Sequence, residues 1–200
     1  MTKNVLFLSV CALSFARVLP AAAQAGEGTK LGLKAGVSVA TLDGALNATS
    51  KFRTDLVAGP MLRLAPTKQH FTVQLEALIS GQGADLERSN GTTEAYKIYY
   101  LNVPVLLRQY IGGRFYVNVG PQLGLLLGSS KGTYKSVEAG VVGGIGVETP
   151  SGFVVDLRLN YGLSDINNDE AERSFRKRFG FGGLHNRVIQ GSVGYLFGKK

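Results

Sequence analysis

The segment Phe153-Val154-Val155-Asp156-Leu157-Arg158-Leu159-Asn160-Tyr161-Gly162-Leu163 decides the fold. Every odd position from 153 to 163 is apolar or aromatic, whereas Asp156, Arg158 and Asn160 fall on even ones. A repeat of two is that of an extended strand whose faces meet different surroundings. Two other segments share the pattern. Phe71, Val73, Leu75, Ala77 and Ile79 alternate with Thr72, Gln74, Glu76 and Ser80. Phe115, Val117, Val119, Leu123, Leu125 and Leu127 alternate with Tyr116, Asn118, Gly120, Gln122 and Gly124.

Working outward, the chain yields eight such stretches, near 30–40, 55–65, 70–81, 97–110, 115–128, 137–148, 153–164 and 186–198. Most match the roughly 9–11 residues of a tilted membrane-spanning strand. Short turns are expected at 66–69, 111–114 and 149–152, and longer polar loops at 42–54, 82–96, 129–136 and 165–185. Strict alternation of short and long connections is the pattern of an outer-membrane barrel, with short periplasmic turns and long extracellular loops. The predicted fold is therefore all-β: a closed antiparallel up-and-down transmembrane β-barrel of eight strands. An even strand count places both termini in the periplasm. Pro60, Pro104 and Pro121 fall inside these stretches, where a closed sheet has no free edge to accommodate them, and are expected at bulges or bends.

With the apolar face turned to lipid, Phe71, Phe115 and Phe153 each open a strand just after a short turn and fall at one height with Tyr195 and Phe197. They read as an interfacial aromatic girdle. The opposite face then carries Lys34, Arg63, Arg108 and Arg158 against Glu76, Glu138, Glu148 and Asp156. An eight-stranded barrel has room inside only for side chains, and buried charges persist when paired. The interior is predicted to be a structural polar plug. Gly120, Gly124, Gly140, Gly144, Gly146 and Gly162 are expected to leave space for the long ionic side chains.

The N-terminus fits a signal peptide over 1–25, cleaved after Ala23 or Ala25. Lys3 precedes an apolar stretch from Val5 to Ala16, and small residues run from Ala21 to Ala25. The barrel domain then spans 26–200. Cys11, the single cysteine, would leave with the signal, so no thiol or disulfide chemistry is expected. The net charge of +8 falls to +6 without Lys3 and Arg17. Export and the scatter of the basic residues argue against nucleic acid as a partner; outer-membrane lipid is the expected counterpart.

The run Tyr99-Tyr100-Leu101-Asn102-Val103-Pro104-Val105-Leu106-Leu107-Arg108, followed by Phe115-Tyr116-Val117-Asn118-Val119-Gly120-Pro121, resembles the outer-membrane β-barrel domain family that includes PorT-like proteins. Gln74-Leu75-Glu76-Ala77-Leu78 ahead of Gly81-Gln82-Gly83-Ala84, and the closing Gly194-Tyr195-Leu196-Phe197, are similar too. The likeness covers 26–198. It implies an integral outer-membrane barrel, usually of unassigned biochemical role, with PorT itself linked to protein secretion. The ending Gly198-Lys199-Lys200 departs from the terminal aromatic residue of many such barrels.

Signals for chemistry are weak, and no residue is assigned as catalytic, cofactor-binding or metal-binding. His185 falls near Ser164 and Asp165 at the expected outer mouth, but no nucleophile motif surrounds Ser164. His70 falls at the other end. Asp165, Asn167 and Asp169 have the spacing of early calcium-loop ligands, yet Glu170 replaces the required glycine and Arg176 the final glutamate. Arg173, Arg176, Lys177 and Arg178 could meet lipid phosphates or be a solvated charge run. Gly140 to Gly146 has no following helix and is not a phosphate loop. Three functions stay open: a non-enzymatic barrel acting through its loops in envelope integrity, adhesion or a secretion or envelope assembly; a lipid-modifying enzyme at the outer rim; and a soluble lipocalin-like carrier.

Overall fold

A computed structural model describes residues 28–43, 48–65, 71–88, 93–130, 134–166, 174, 178, 183 and 185–197. The expected signal peptide lies outside them. Eight staves follow in chain order: β1 (Lys30–Asp43), β2 (Ala48–Lys51 and Arg53–Arg63), β3 (Phe71–Glu76 and Leu78–Arg88), β4 (Thr93–Ile111), β5 (Phe115–Ser129), β6 (Val137–Glu148), β7 (Phe153–Gly162) and β8 (His185–Phe197). Each pairs antiparallel with its neighbours in sequence. β1 also pairs with β8, from Leu31 opposite Phe197 to Asp43 opposite His185. That last ladder closes the sheet into an eight-stranded barrel.

The decisive segment forms β7, and its faces settle which way the barrel is turned. Leu157 is 54% exposed, while Asp156 and Arg158 on either side of it are 2% and 1% exposed. The same inversion runs round the wall, with Leu33, Val119, Leu123, Ile145 and Val193 outward and Gln74, Asn102, Asn118 and Gln190 inward. A soluble carrier needs the opposite arrangement, since its apolar faces must line the ligand cavity, and the structure excludes that reading.

The apolar wall has the height of a bilayer core. On β8, Arg187 and Phe197 are ten residues apart and both face outward. At about 3.3 Å per residue and a tilt of about 40°, they are separated by roughly 25 Å along the axis, the height of the apolar band of outer-membrane barrels.

Two local expectations need correction. β2, β3 and β4 extend well into the segments expected as loops 42–54 and 82–96: Ala48–Lys51 pairs with Asp85–Arg88, and Gln82–Glu87 pairs with Thr93–Ile98. Pairing thus continues where the alternation of the sequence lapses. The prolines, for their part, do not mark bulges. Register runs unchanged past Pro60, Pro104 and Pro121, and the register shift in the β4–β5 ladder falls between Tyr99 and Tyr100. Pro60 accepts a bond from Ala77 N at 3.1 Å but has no N–H to return. That missing bond is where β3 is interrupted.

The short turns are built as their residues demand. In 149–153, Thr149 N donates to Phe153 O at 2.8 Å and Gly152, at φ +98°, donates to Thr149 O at 3.0 Å. Gly112 and Gly113 take φ of +63° and +85°, with open space around any added Cβ. Replacing either by Ala should therefore cost backbone strain alone, about 1–2 kcal/mol, read as a lower urea midpoint for the barrel refolded in detergent.

Candidate functional site in the barrel interior and at its rims

The eight charges expected inside lie on the lumen side, and period-two strands put seven of them at two levels. In the middle, Lys34 of β1 donates to Glu76 of β3 at 2.9 Å and to Asp156 of β7 at 2.5 Å. Arg158 forks onto Glu76 at 2.6 and 2.9 Å and reaches Asp156 at 3.2 Å. Gln74 also donates to Glu76, and the Tyr116 hydroxyl to Asp156. Two cations and two anions thus neutralise one another without solvent.

Toward the turn end, Glu148 is shared by two arginines. Arg63 donates to it, as does Arg108 at 3.2 Å, and the Tyr110 hydroxyl donates at 2.6 Å. The Arg108 guanidinium lies 3.6 Å from the Tyr116 ring centroid, a cation–π contact that links the two levels. Tyr110 and Tyr116 were not among the expected network residues. Tyr116 lies on the inward face that the alternation predicts, and its role as bridge depends on non-local packing.

Glu138 departs from the expected eight-member network. It lies ten residues before Glu148 on β6, roughly 33 Å along the strand, and its hydrogen-bond partner is Asn186 Nδ2 at 3.2 Å. Among the described residues no cation pairs with it. The ionic plug therefore holds seven of the eight charges, with a surplus of one positive charge at the turn end.

Apolar layers close both ends of the lumen. Met61, Tyr116, Val154 and Leu196 pack at the turn end against Tyr110. At the loop end Leu42, Ala84, Ile98, Tyr100 and Ile166 form a second cluster, with Leu126 and Tyr134 against it. Lys135 N donates to Ile166 O at 2.9 Å, so the two loops that supply Tyr134 and Ile166 hold each other across the mouth. Single apolar residues in polar loops gave no periodic signal for this lid.

The inward glycines divide into two groups. A Cβ on Gly144 would stand 2.5 Å from Leu157 O and 2.7 Å from Arg158 Cγ, one on Gly146 would strike the Tyr116 hydroxyl, and one on Gly162 would strike Glu138 Oε1. Gly120 and Gly140 instead face neighbouring backbone, Val105 O and Tyr161 O. Gly146→Ala should displace Tyr116 from Asp156 and cost about 1–3 kcal/mol of unfolding free energy, checked by chemical unfolding in detergent.

The five girdle residues all point outward beside the turn end: Phe71, Phe115, Phe153, Tyr195 and Phe197. Phe153 and Tyr195 meet edge-on with centroids 5.0 Å apart, and Tyr195 and Phe197 at 5.3 Å. At the other rim Tyr161 supports Arg187, whose guanidinium lies 5.0 Å from its ring centroid and pairs with Asp43. Ser164 and His185 are not joined. The Ser164 hydroxyl accepts from Ala139 N at 2.9 Å, and His185 Nδ1 has no partner among the described residues. Of the basic loop residues only Arg178 lies among the described residues, where it is exposed; Arg173, Arg176 and Lys177 fall outside them, as do His70, Asn167 and Asp169.

A family model described as "Outer membrane protein beta-barrel domain" matches residues 22–168. The chain belongs to this outer-membrane β-barrel family. The match places the protein in the outer membrane and does not single out PorT. No curated protein matches the chain in sequence. Among solved structures, Neisserial surface protein A is 13% identical with a TM-score of 0.53, covering 86% of this chain and all of that one. OprG of Pseudomonas aeruginosa is 16% identical, with a TM-score of 0.49 and coverage of 88% and 99%. Ail, the attachment invasion locus protein of Yersinia pestis, is 14% identical, with a TM-score of 0.45 and coverage of 86% and 100%. At such identities the first likeness bears on the fold of this outer-membrane β-barrel protein and on nothing finer.

Proposed function

We propose that the protein is a non-enzymatic barrel whose interior is a structural plug and whose activity is presented by its loop end, in envelope integrity, adhesion or a secretion or envelope assembly. The observation that carries this reading is the cross-linked ionic layer of Lys34, Glu76, Asp156 and Arg158, with side chains at most 1% exposed, beneath an apolar lid. A lumen filled in this way has neither a conduit for solutes nor space for a substrate. The loop end faces outward and both termini face the periplasm. Outer-leaflet lipid surrounds the wall, and a protein of the envelope or of a secretion assembly is the partner class.

The test is complementation of a deletion strain scored for detergent sensitivity and surface adhesion. Wild type and His185→Ala should restore both equally, while a barrel with 86–95 and 130–136 cut to minimal turns should fold, reach the outer membrane and fail to restore them. Restoration by the trimmed barrel, or its loss in His185→Ala, would overturn the proposal. A protease site inserted at 89–92 should be cleaved on intact cells and one beside Gly112 should not.

A further inference from the structure

Of the eight charges expected inside, Glu138 alone stands outside the plug, and its surroundings are unlike those of the other seven. Beside it, near the loop end, lies a lumen cavity of about 10 Å³ lined by Gln82, Gln122, Asn160 and Asn186 together with Gly140 and Gly162. That is room for roughly one water-sized sphere. Every side chain of this group that carries a polar atom offers an oxygen. Glu138, Asn160 and Asn186 are each more than nine-tenths buried, at 7%, 8% and 2% exposure. Among the described residues Asn160 Oδ1 and Asn186 Oδ1 have no hydrogen-bond partner, while Asn186 Nδ2 is spent on Gln82 Oε1 at 2.9 Å and on Glu138 at 3.2 Å.

From this geometry we infer that the cavity beside Glu138 binds a single hard metal cation, with calcium the best match. Buried oxygens without donors and a carboxylate without a counter-ion are both satisfied by one cation. A water molecule supplies two hydrogens but no charge, and would leave the buried carboxylate uncompensated out of reach of bulk solvent. The donor set is all oxygen, with no nitrogen or sulfur ligand on the cavity wall, which turns away soft metals. Calcium accepts irregular oxygen shells, whereas magnesium keeps a strict octahedron and several waters that this volume does not admit. Among the described residues no three His, Cys, Asp or Glu gather into a metal cluster, so the site depends on amide oxygens around one carboxylate. A single formal charge places it in the weak, extracellular class of calcium sites, with a Kd on the order of 10⁻⁴–10⁻³ M. Gly162 is required in the wall, because a Cβ there would strike the Glu138 carboxylate.

The experiment uses the purified barrel in detergent, stripped with chelator, with terbium as the luminescent probe. Tyr100, which packs with Glu138 around Gly124, is the sensitiser. Terbium emission should rise on addition to wild type and be displaced by millimolar calcium, while Glu138→Gln should weaken binding tenfold or more and the rim variant Asp43→Asn should leave it unchanged. Should Glu138→Gln fail to fold, Asn160→Ala, which keeps the carboxylate, should still weaken calcium binding at least threefold. Wild-type emission that calcium does not displace, or equal emission from wild type and the folded Glu138→Gln or Asn160→Ala protein, would overturn the inference.

Discussion

Replacing Glu76 by Gln should destabilise the barrel by about 3–5 kcal/mol, the loss typical of breaking a buried ion pair by removing one partner. Glu76 accepts from Lys34 and from both Arg158 nitrogens, and its side chain is fully buried. Without it Lys34 and Arg158 share the single carboxylate of Asp156, and one positive charge is left uncompensated where bulk solvent does not reach. Unfolding by urea from lipid vesicles measures the effect. The paired change Lys34→Met with Glu76→Gln restores neutrality and should recover at least half of the loss. A cost below about 1 kcal/mol for Glu76→Gln alone would mean that the plug is not the sealed ionic layer described.

The second large effect lies on the opposite face of the same stave. Leu157 sits midway between Phe153 and Tyr161 on the outward side of β7, 54% exposed, with aromatic residues marking each interface. Leu157→Arg should cost about 2–4 kcal/mol when the barrel unfolds from a bilayer, and Leu163→Arg, beyond Tyr161, only about 0–1 kcal/mol. A barrel surrounded by water would treat both arginines alike. The depth dependence is thus a direct reading of where the hydrocarbon lies, obtained from unfolding midpoints of the two variants in the same vesicles.

What could be read from the chain follows from which interactions leave a local trace. Period-two alternation placed Leu157 outward and Arg158 inward, and with them the faces of β3, β5 and β7, because lipid and lumen impose opposite demands on adjacent residues. It could not say that Arg158 would choose Glu76, on a stave four strands away, nor that Glu138 would be stranded near the other end of β6 from Glu148. Partner choice depends on register and tilt, which no single segment encodes. The extensions of β2, β3 and β4 were hidden for a different reason: the alternation of the sequence lapses there while the ladders run on. Ile166 and Tyr134 escaped notice because a lid needs only one apolar residue per loop.

The ladder between β1 and β8 joins Leu31 to Phe197, 166 residues apart in the chain (197 less 31). Seven staves without the eighth would show two unpaired margins to the bilayer, where bare amides have no solvent to satisfy them. Translation must therefore finish, and the tail must arrive beside the head, before any part of the wall is safe in lipid. The seam makes insertion an all-or-nothing event, and a chain truncated before β8 is one the envelope would have to discard.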